Sequence, residues 1–270
     1  MKFSVLMSVY NKEKSEFFDR CMHSIWNEQI VKPNQIVLVE DGYLNDELYQ
    51  SIYNWKEKLG DCFITVSLEN NLGLGDALNK GLEKCSYPLI ARMDTDDIAM
   101  PERFEKQLKI FSSKKVDVCS SWVSEFEDDE NMILSYRKVP ENHNEIVQYA
   151  KKRNPLNHPA VMYRKSAVIQ AGKYQKKLWF EDYWLWVSMI LNGTKFYNIQ
   201  YPLVKMRAGY KQLERRSGIK YAISEFNFQR QLLDTKFINH IEYIRNLSIR
   251  LIVRIIPKYF IGKIYKILRN

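Results

Sequence analysis

The run Leu89-Ile90-Ala91-Arg92-Met93-Asp94-Thr95-Asp96-Asp97, followed by Ile98-Ala99-Met100-Pro101, passes from a short apolar strand pattern into three carboxylates at a turn. Oxygen-rich sites suit hard cations such as Mg²⁺ and Mn²⁺, which take one or two carboxylates and leave positions for water and substrate phosphates. Alternation along the turn predicts that Asp94 and Asp96 face one side, with Asp96 the more direct metal ligand and Asp97 capping the next element. Three acids in a turn also make an ordinary solvated loop, so the residues around them decide.

Working upstream, strand patterns at Phe3–Val9, Gln35–Val39 and Phe63–Ser67 alternate with helical spacings. The apolar positions of those helices are Phe18, Met22 and Ile25; Leu48, Ile52, Trp55 and Leu59; and Leu74, Leu78 and Leu82. This βαβαβαβ rhythm predicts an α/β fold, a mostly parallel sheet with helices on both faces. Ligands of such sheets bind beyond the carboxyl ends of the strands. Tyr10 and Asn11, Glu40 and Asp41, Glu69 to Gly73, and the acidic run should therefore meet at one edge.

Downstream of Pro101, Phe104, Leu108 and Phe111 predict an amphipathic helix, and Asp117 to Val123 a further strand. Ala160 to Tyr163 is also strand-like. The expected division is a first half over 1–100, a second half over 101–215 and a helical extension over 216–270.

The 270 residues are 46% apolar, enough for a substantial core. The net charge of +9 is uneven, because Asp and Glu stop at Glu242 while Arg245, Arg250, Arg254, Lys258, Lys263, Lys266 and Arg269 continue. Together with Leu247, Ile252, Ile256, Phe260 and Ile264, divided at Pro257, they describe a basic amphipathic tail suited to an anionic membrane surface. A helical pair packed on the protein or on a second subunit is the alternative. Cys21, Cys62, Cys85 and Cys119 lack zinc spacing or a dense disulfide framework, which fits a reducing, cytoplasmic compartment. Met1 leads directly into the first strand pattern, a stretch too short and too early in the fold to read as a signal peptide, and no uncharged apolar run approaches transmembrane length.

Glu181-Asp182 is a second acidic pair, set among Trp179, Phe180, Tyr183 and Trp184. A carboxylate against apolar rings loses hydration and gains basicity, as a general base requires, and aromatic faces stack on sugars. The same residues also read as core aromatics at a helix start, where the dipole favours acids. His158 is equally a phosphate or metal contact and a structural histidine. Arg215-Arg216 could neutralise a diphosphate or lie solvated at the surface. Gly73-Leu74-Gly75 lacks the third glycine of a dinucleotide fingerprint.

Taken in order, Ser8-Val9-Tyr10-Asn11, Val39-Glu40-Asp41-Gly42, Asn71-Leu72-Gly73 with Ala77 and Asn79-Lys80-Gly81, Ile90 to Asp97, and Glu181-Asp182-Tyr183 resemble the inverting family 2 glycosyltransferases. His158-Pro159-Ala160-Val161-Met162-Tyr163-Arg164 and Arg215-Arg216-Ser217-Gly218 are similar to the branch that builds bacterial O-antigen and exopolysaccharide repeat units on a lipid carrier. The likeness spans roughly the first 200 residues.

The resemblance implies a GT-A fold, a nucleotide-diphosphate sugar donor, with UDP-glucose or UDP-galactose preferred, and Mn²⁺ or Mg²⁺ on the acidic run. It gives residues 1–100 a nucleotide-sugar-binding role, 101–215 an acceptor-binding role and 216–270 a membrane-associating role. It places Tyr10 and Asp41 on the nucleobase, and Asp94 and Asp96 on sugar, ribose and metal. Ser8, Glu40, Asn71 and Gly73 complete the donor side. Asp182, with Glu181 beside it, becomes the catalytic base, and the acceptor is a sugar on undecaprenyl diphosphate at the inner face of the cytoplasmic membrane. One departure is Glu40-Asp41-Gly42-Tyr43, where the family often has Asp-Asp-Gly-Ser.

Two other readings compete. A sugar nucleotidyltransferase needs a glycine-rich loop after the first strand, which Ser8 to Lys14 does not supply. A non-catalytic membrane- or nucleic-acid-binding protein would use its cations alone; here they cluster on an aliphatic tail, unlike the aromatic-interleaved basic patch of a nucleic-acid binder.

Overall fold

The computed structural model describes residues 1–208 and 218–255, the last five by their backbone alone. Arg215, Arg216 and the tail beyond 255 lie outside the described residues. Alternation builds β1 (Phe3–Val9), with Phe3, Val5, Met7 and Val9 facing one core and Leu6 the other. Helix α1 (Ser15–Met22), extended by a π-helical turn over His23–Asn27, leads into β2 (Gln35–Glu40). Helix α2 (Asp46–Leu59) is capped by Asn45, whose side chain accepts from the Leu48 N–H, and it carries Asp46 and Glu47 in the first turn where the dipole favours them. Then come β3 (Phe63–Ser67), α3 (Leu74–Lys84) and β4 (Leu89–Arg92). These four strands pair in parallel in the order β3-β2-β1-β4, so β1, β2 and β4 all end at the same edge.

Two glycines hold this half tightly together. A Cβ on Gly81 of α3 would lie 2.4 Å from Leu6 Cδ1 and 2.6 Å from Val39 Cγ2, so the helix reaches the sheet only without one. Gly42, at φ +86°, turns the chain after β2, and a Cβ there would stand 2.8 Å from the Asn71 backbone nitrogen.

The second half breaks the parallel rhythm. The two-residue β5 (Ile98–Ala99) is followed by α4 (Arg103–Ser113), β6 (Val118–Phe126) and β7 (Ser135–Arg137). Helix α5 (His143–Ala150) has a reciprocal capping box between Asn142 and Glu145 and precedes β8 (Met162–Arg164) and α6 (Lys165–Gln170). Strand β8 starts later than the predicted Ala160 because His158–Ala160 form a 3₁₀ turn around Pro159, which has no N–H to give a ladder. Helix α7 (Glu181–Leu191) and β9 (Phe196–Arg207) complete the sheet. Strand β8 runs antiparallel to β4 and β6, while β9 is parallel to β6, giving the order β3-β2-β1-β4-β8-β6-β9-β5 with β7 on β6.

Beyond the sheet lie α8 (Ile219–Asp234) and α9 (His240–Ile255). Helix α7 is apolar nearly all round because both its sides are covered. Leu185, Trp186 and Met189 join the sheet core, while Tyr183, Trp184 and Val187 meet Tyr221, Phe228 and Leu232 of α8 in a third core. Arg250 pairs with Glu225 and donates to the Lys152 carbonyl, and Asn246 is buried between Lys151 and Gln229. The start of the basic tail is thus partly engaged with the protein itself. No helix among the described residues is long and apolar enough to cross a membrane.

Candidate active site

The ends of β1, β2 and β4 are stitched to each other by the chain's own polar groups. The Asp41 N–H donates to the Val9 carbonyl at 2.8 Å, extending the β1–β2 ladder. The Asp41 carboxylate, 5% exposed, accepts from the Leu72 N–H at 2.7 Å and the Gly73 N–H at 3.0 Å, while Asn71 Nδ2 donates to the Asp41 carbonyl. Asp41, expected on a nucleobase, therefore has both oxygens engaged in shaping the loop that starts α3. Glu40 is buried and accepts from Ser67 Oγ at 2.6 Å. Tyr10 stands open at this edge, and Ser8 is half-buried just before it.

At the end of β4 the acidic run folds into a charge-dense pocket. Asp94 pairs with the buried Arg92 guanidinium. Burial pushes Asp96 up to about 7, with the negative charges of Asp94 and Glu13 adding to the effect. Asp97 does not cap a following element, as its position suggested. It is buried at the crossing of two distant segments, and its Oδ1 accepts from the Arg207 N–H of β9 at 2.8 Å. Its other oxygen has no protein partner, and burial drives its pKa well above the carboxylate range.

This pocket fits a divalent cation. Crowded, desolvated carboxylates and an orphaned buried oxygen are what an added positive charge relieves. Among the described residues no three His, Cys, Asp or Glu side chains form a closed metal cluster. The protein would then contribute one or two carboxylates, the pattern of Mg²⁺ and Mn²⁺ bound with substrate phosphates.

Three contributors here carried no local signal. Glu13 accepts from Thr95 Oγ1 at 2.9 Å, and burial raises its pKa. It lies four residues past β1, and only the shared strand edge could have pointed to it. Arg207 comes from the far end of β9, its guanidinium between the rings of Phe17 at 3.7 Å and Phe126 at 4.6 Å, with Nη1 donating to the Glu127 carbonyl. Arg92 was visible as part of the motif, but nothing in its spacing announces a buried cation.

The second acidic pair opens α7. Asp182 Oδ2 accepts from Asn154 Nδ2 at 2.6 Å, and Oδ1 accepts from the Tyr183 N–H at 2.7 Å, so the carboxylate is held in one orientation. Glu181 packs beside Gly75 at the start of α3, a Cβ on that glycine lying 3.4 Å from Glu181 Cγ. Burial pushes Glu181 up to about 7, aided by Asp182 and Asp76. Between about pH 4.5 and 7 the folded chain thus keeps a proton that the unfolded chain releases, and stability falls as pH rises through that window. Glu181→Gln is expected to stabilise the chain by about 1 kcal/mol at pH 8, allowing for partial exposure, and to be neutral near pH 4. Thermal melts at the two pH values check this; an equal gain at both contradicts it.

The aromatic platform is corrected in part. Tyr183 is 3% exposed, donates its hydroxyl to the Ala150 carbonyl and packs on Phe228; Trp184 is 6% exposed, with its indole N–H on Gln175. Both are core residues, because α8 covers the face of α7 that bears them. Trp179 remains half-buried at φ +68°, tilted on Tyr221, in a loop immediately before the acidic pair. His158 neither faces solvent freely nor meets the acidic run: its Nε2 is 2.9 Å from the Tyr174 hydroxyl, and burial and then Arg92 hold it neutral. Tyr174 in turn is buried within electrostatic reach of Arg92, Asp182 and Asp94, so both acidic groups act on it.

The glycosyl transferase family 2 profile matches residues 4–176. The chain is 40% identical over 266 residues to the UDP-Gal:alpha-D-GlcNAc-diphosphoundecaprenol beta-1,3-galactosyltransferase of Escherichia coli, covering 98% of this chain and 95% of that protein. It is also 40% identical to the amylovoran biosynthesis glycosyltransferase AmsE of Erwinia amylovora, over 94% of each. Among solved structures, residues 1–349 of S. aureus TarS in complex with UDP-GlcNAc superpose with a TM-score of 0.67 at 17% identity, over 93% of this chain and 72% of that one. The mannosyltransferase PcManGT from Pyrobaculum calidifontis, in complex with GDP-Man and Mn²⁺, gives 0.62 at 13% identity, over 92% and 68%. At these identities the structural likeness concerns the fold.

Proposed function

Because this chain belongs to glycosyl transferase family 2 and is a glycosyltransferase of GT-A architecture, we propose that it moves a hexose, with inversion, from a UDP-sugar to a sugar carried on undecaprenyl diphosphate. The observation that supports this reading is the meeting of the second acidic pair with the strand edge: Glu181 and Tyr174 both pack against Gly75 at the start of α3, beside the loop that Asp41 shapes, and Asp182 next to them is rigidly held. The Escherichia coli relative supports galactose as donor sugar, N-acetylglucosamine as acceptor and a β-1,3 linkage. The product would be an intermediate in O-antigen or exopolysaccharide repeat-unit assembly.

In the proposed reaction Asp182 takes the proton of the acceptor hydroxyl as its oxygen attacks the anomeric carbon. The bond to the diphosphate breaks on the opposite face, its electron pair leaves with UDP, and an α-linked donor yields a β-linkage. Asn154 and the Tyr183 amide keep Asp182 from rotating away. Asp96, with Asp94 beside it, would hold Mn²⁺ or Mg²⁺, which when bound neutralises charge growing on the leaving diphosphate. Tyr10 offers an open ring to the nucleobase, next to the loop that Asp41 shapes. Exposed Ile219, Ile223 and Phe226 on α8 and Ile241, Ile244 and Ile249 on α9, followed by the acid-free tail, suit docking on an anionic membrane where a lipid-linked acceptor resides.

The test is incubation of the purified chain with UDP-galactose, UDP-glucose or UDP-N-acetylglucosamine, Mn²⁺ and a synthetic lipid-diphosphate N-acetylglucosamine, read by mass spectrometry. A product heavier by one hexose, formed fastest from UDP-galactose, is expected. Transfer from none of the UDP-sugars overturns the reading.

A further inference from the structure

Arg92 closes β4 with its side chain turned into the protein, and at 1% exposure it is among the largest fully buried side chains. Its Nη2 donates to Asp94 Oδ1. Nε and Nη1 are equally buried and have no protein partner. Its backbone is clamped as well, the N–H on the Val161 carbonyl at 2.9 Å and the carbonyl accepting from Arg103 Nη2 at 2.6 Å. A buried guanidinium costs several kcal/mol of desolvation, and an apolar residue of similar volume is usually no less stabilising. Leaving two of its donor atoms unpaired adds to that cost. An arrangement this expensive, committed to one carboxylate at the ligand edge, calls for a role other than stability.

The two carboxylates of the pocket differ in one respect. Asp94 is in direct contact with a fixed positive charge, whereas Asp96 has no such ion pair and feels the negative charges of Asp94 and Glu13 ahead of the more weakly acting Arg92. Arg92 therefore opposes a cation most strongly at Asp94, which it touches, and less at Asp96. An oxygen already accepting from a guanidinium still has lone pairs for the hydroxyls of a sugar, and its orientation is settled before the ligand arrives.

From this geometry we infer that Arg92 is a positioning residue that holds the Asp94 carboxylate for the hydroxyls of the donor sugar, so that the sugar, and not the nucleotide, depends on it. The inference rests on the UDP-sugar reading above. It assigns Arg92 no contact with substrate, since its free donor atoms are fully buried.

The experiment compares UDP with UDP-galactose by titration calorimetry in Mn²⁺, using the full chain, Arg92→Met, Arg92→Lys, Asp94→Asn and the double variants. Losing a charge-assisted hydrogen bond is worth about tenfold in affinity. Arg92→Met is expected to weaken UDP-galactose about tenfold and UDP less than twofold, with Arg92→Lys recovering part of the loss. On the Asp94→Asn background neither change should weaken UDP-galactose further. If Arg92→Met fails to fold, the Arg92→Lys and Asp94→Asn cycle makes the same comparison. Equal losses for UDP and UDP-galactose, or fully additive losses in the double variants, overturn the inference alone. A wild-type chain that binds neither UDP-galactose nor UDP-glucose overturns the donor reading and the inference with it.

Discussion

Asp182→Asn is expected to lower turnover by about a thousandfold while leaving UDP-galactose affinity within about twofold. The substitution keeps the shape of the side chain but removes the basic oxygen, so it isolates proton acceptance from packing. Asn154 and the Tyr183 amide both donate to Asp182, and an asparagine can accept well from only one of them. A stability loss of about 1 kcal/mol should accompany the catalytic loss, small enough for the fold to persist. Single-turnover transfer assays with calorimetric donor binding check both halves of the statement. Undiminished turnover would remove Asp182 from the role of base. The neighbouring carboxylate provides the control: Glu181→Gln alters the pH dependence of stability, and it should cost far less turnover than Asp182→Asn if Glu181 only shapes the local field.

Chelation with EDTA is the second large effect, expected to cut turnover at least a hundredfold, with recovery on adding Mn²⁺ or Mg²⁺. The reason lies in the pocket's charge balance. Asp96, buried near Asp94 and Glu13, favours its protonated form up to about pH 7. Without a cation, ionised Asp96 costs stability as pH rises from the ordinary carboxylate range through about 7, and a bound cation removes that cost. Mn²⁺ should therefore raise the melting temperature more at pH 8 than at pH 6. Asp96→Asn should abolish both the Mn²⁺-dependent stabilisation and the metal activation. Activity that survives EDTA, with no Mn²⁺ effect on melting at either pH, contradicts a metal on this run.

The parallel half of the fold was readable because its evidence is local. Strand and helix periods in the first hundred residues place β1, β2, β3 and β4 within a residue or two of their observed limits. A strand followed by Gly, Asn or Asp at a shared edge then identifies Asp41 and Asn71 to Gly73 as neighbours, as their hydrogen bonds show, and places the acidic run at the end of the next parallel strand but one. The acidic pair at 181 and 182 was equally visible, and both residues do open a helix.

Other parts of the site depended on contacts across long stretches of chain. Aromatic residues at helical spacing look the same whether a second helix covers them or a sugar does; α8 covers Tyr183 and Trp184, so they became core. Asp97 looks like a cap in the sequence because its partner, the amide of Arg207, lies 110 residues away on β9. Asn154 meets Asp182 across 28 residues, and Glu13 meets Thr95 across 82. Periodicity and turn chemistry act over a few residues and so specify the strand ends and the presence of carboxylates there. Which carboxylate is paired, buried or left to a cation depends on what the closed sheet brings against it, because desolvation and Coulomb energy depend on distance in space and not along the chain.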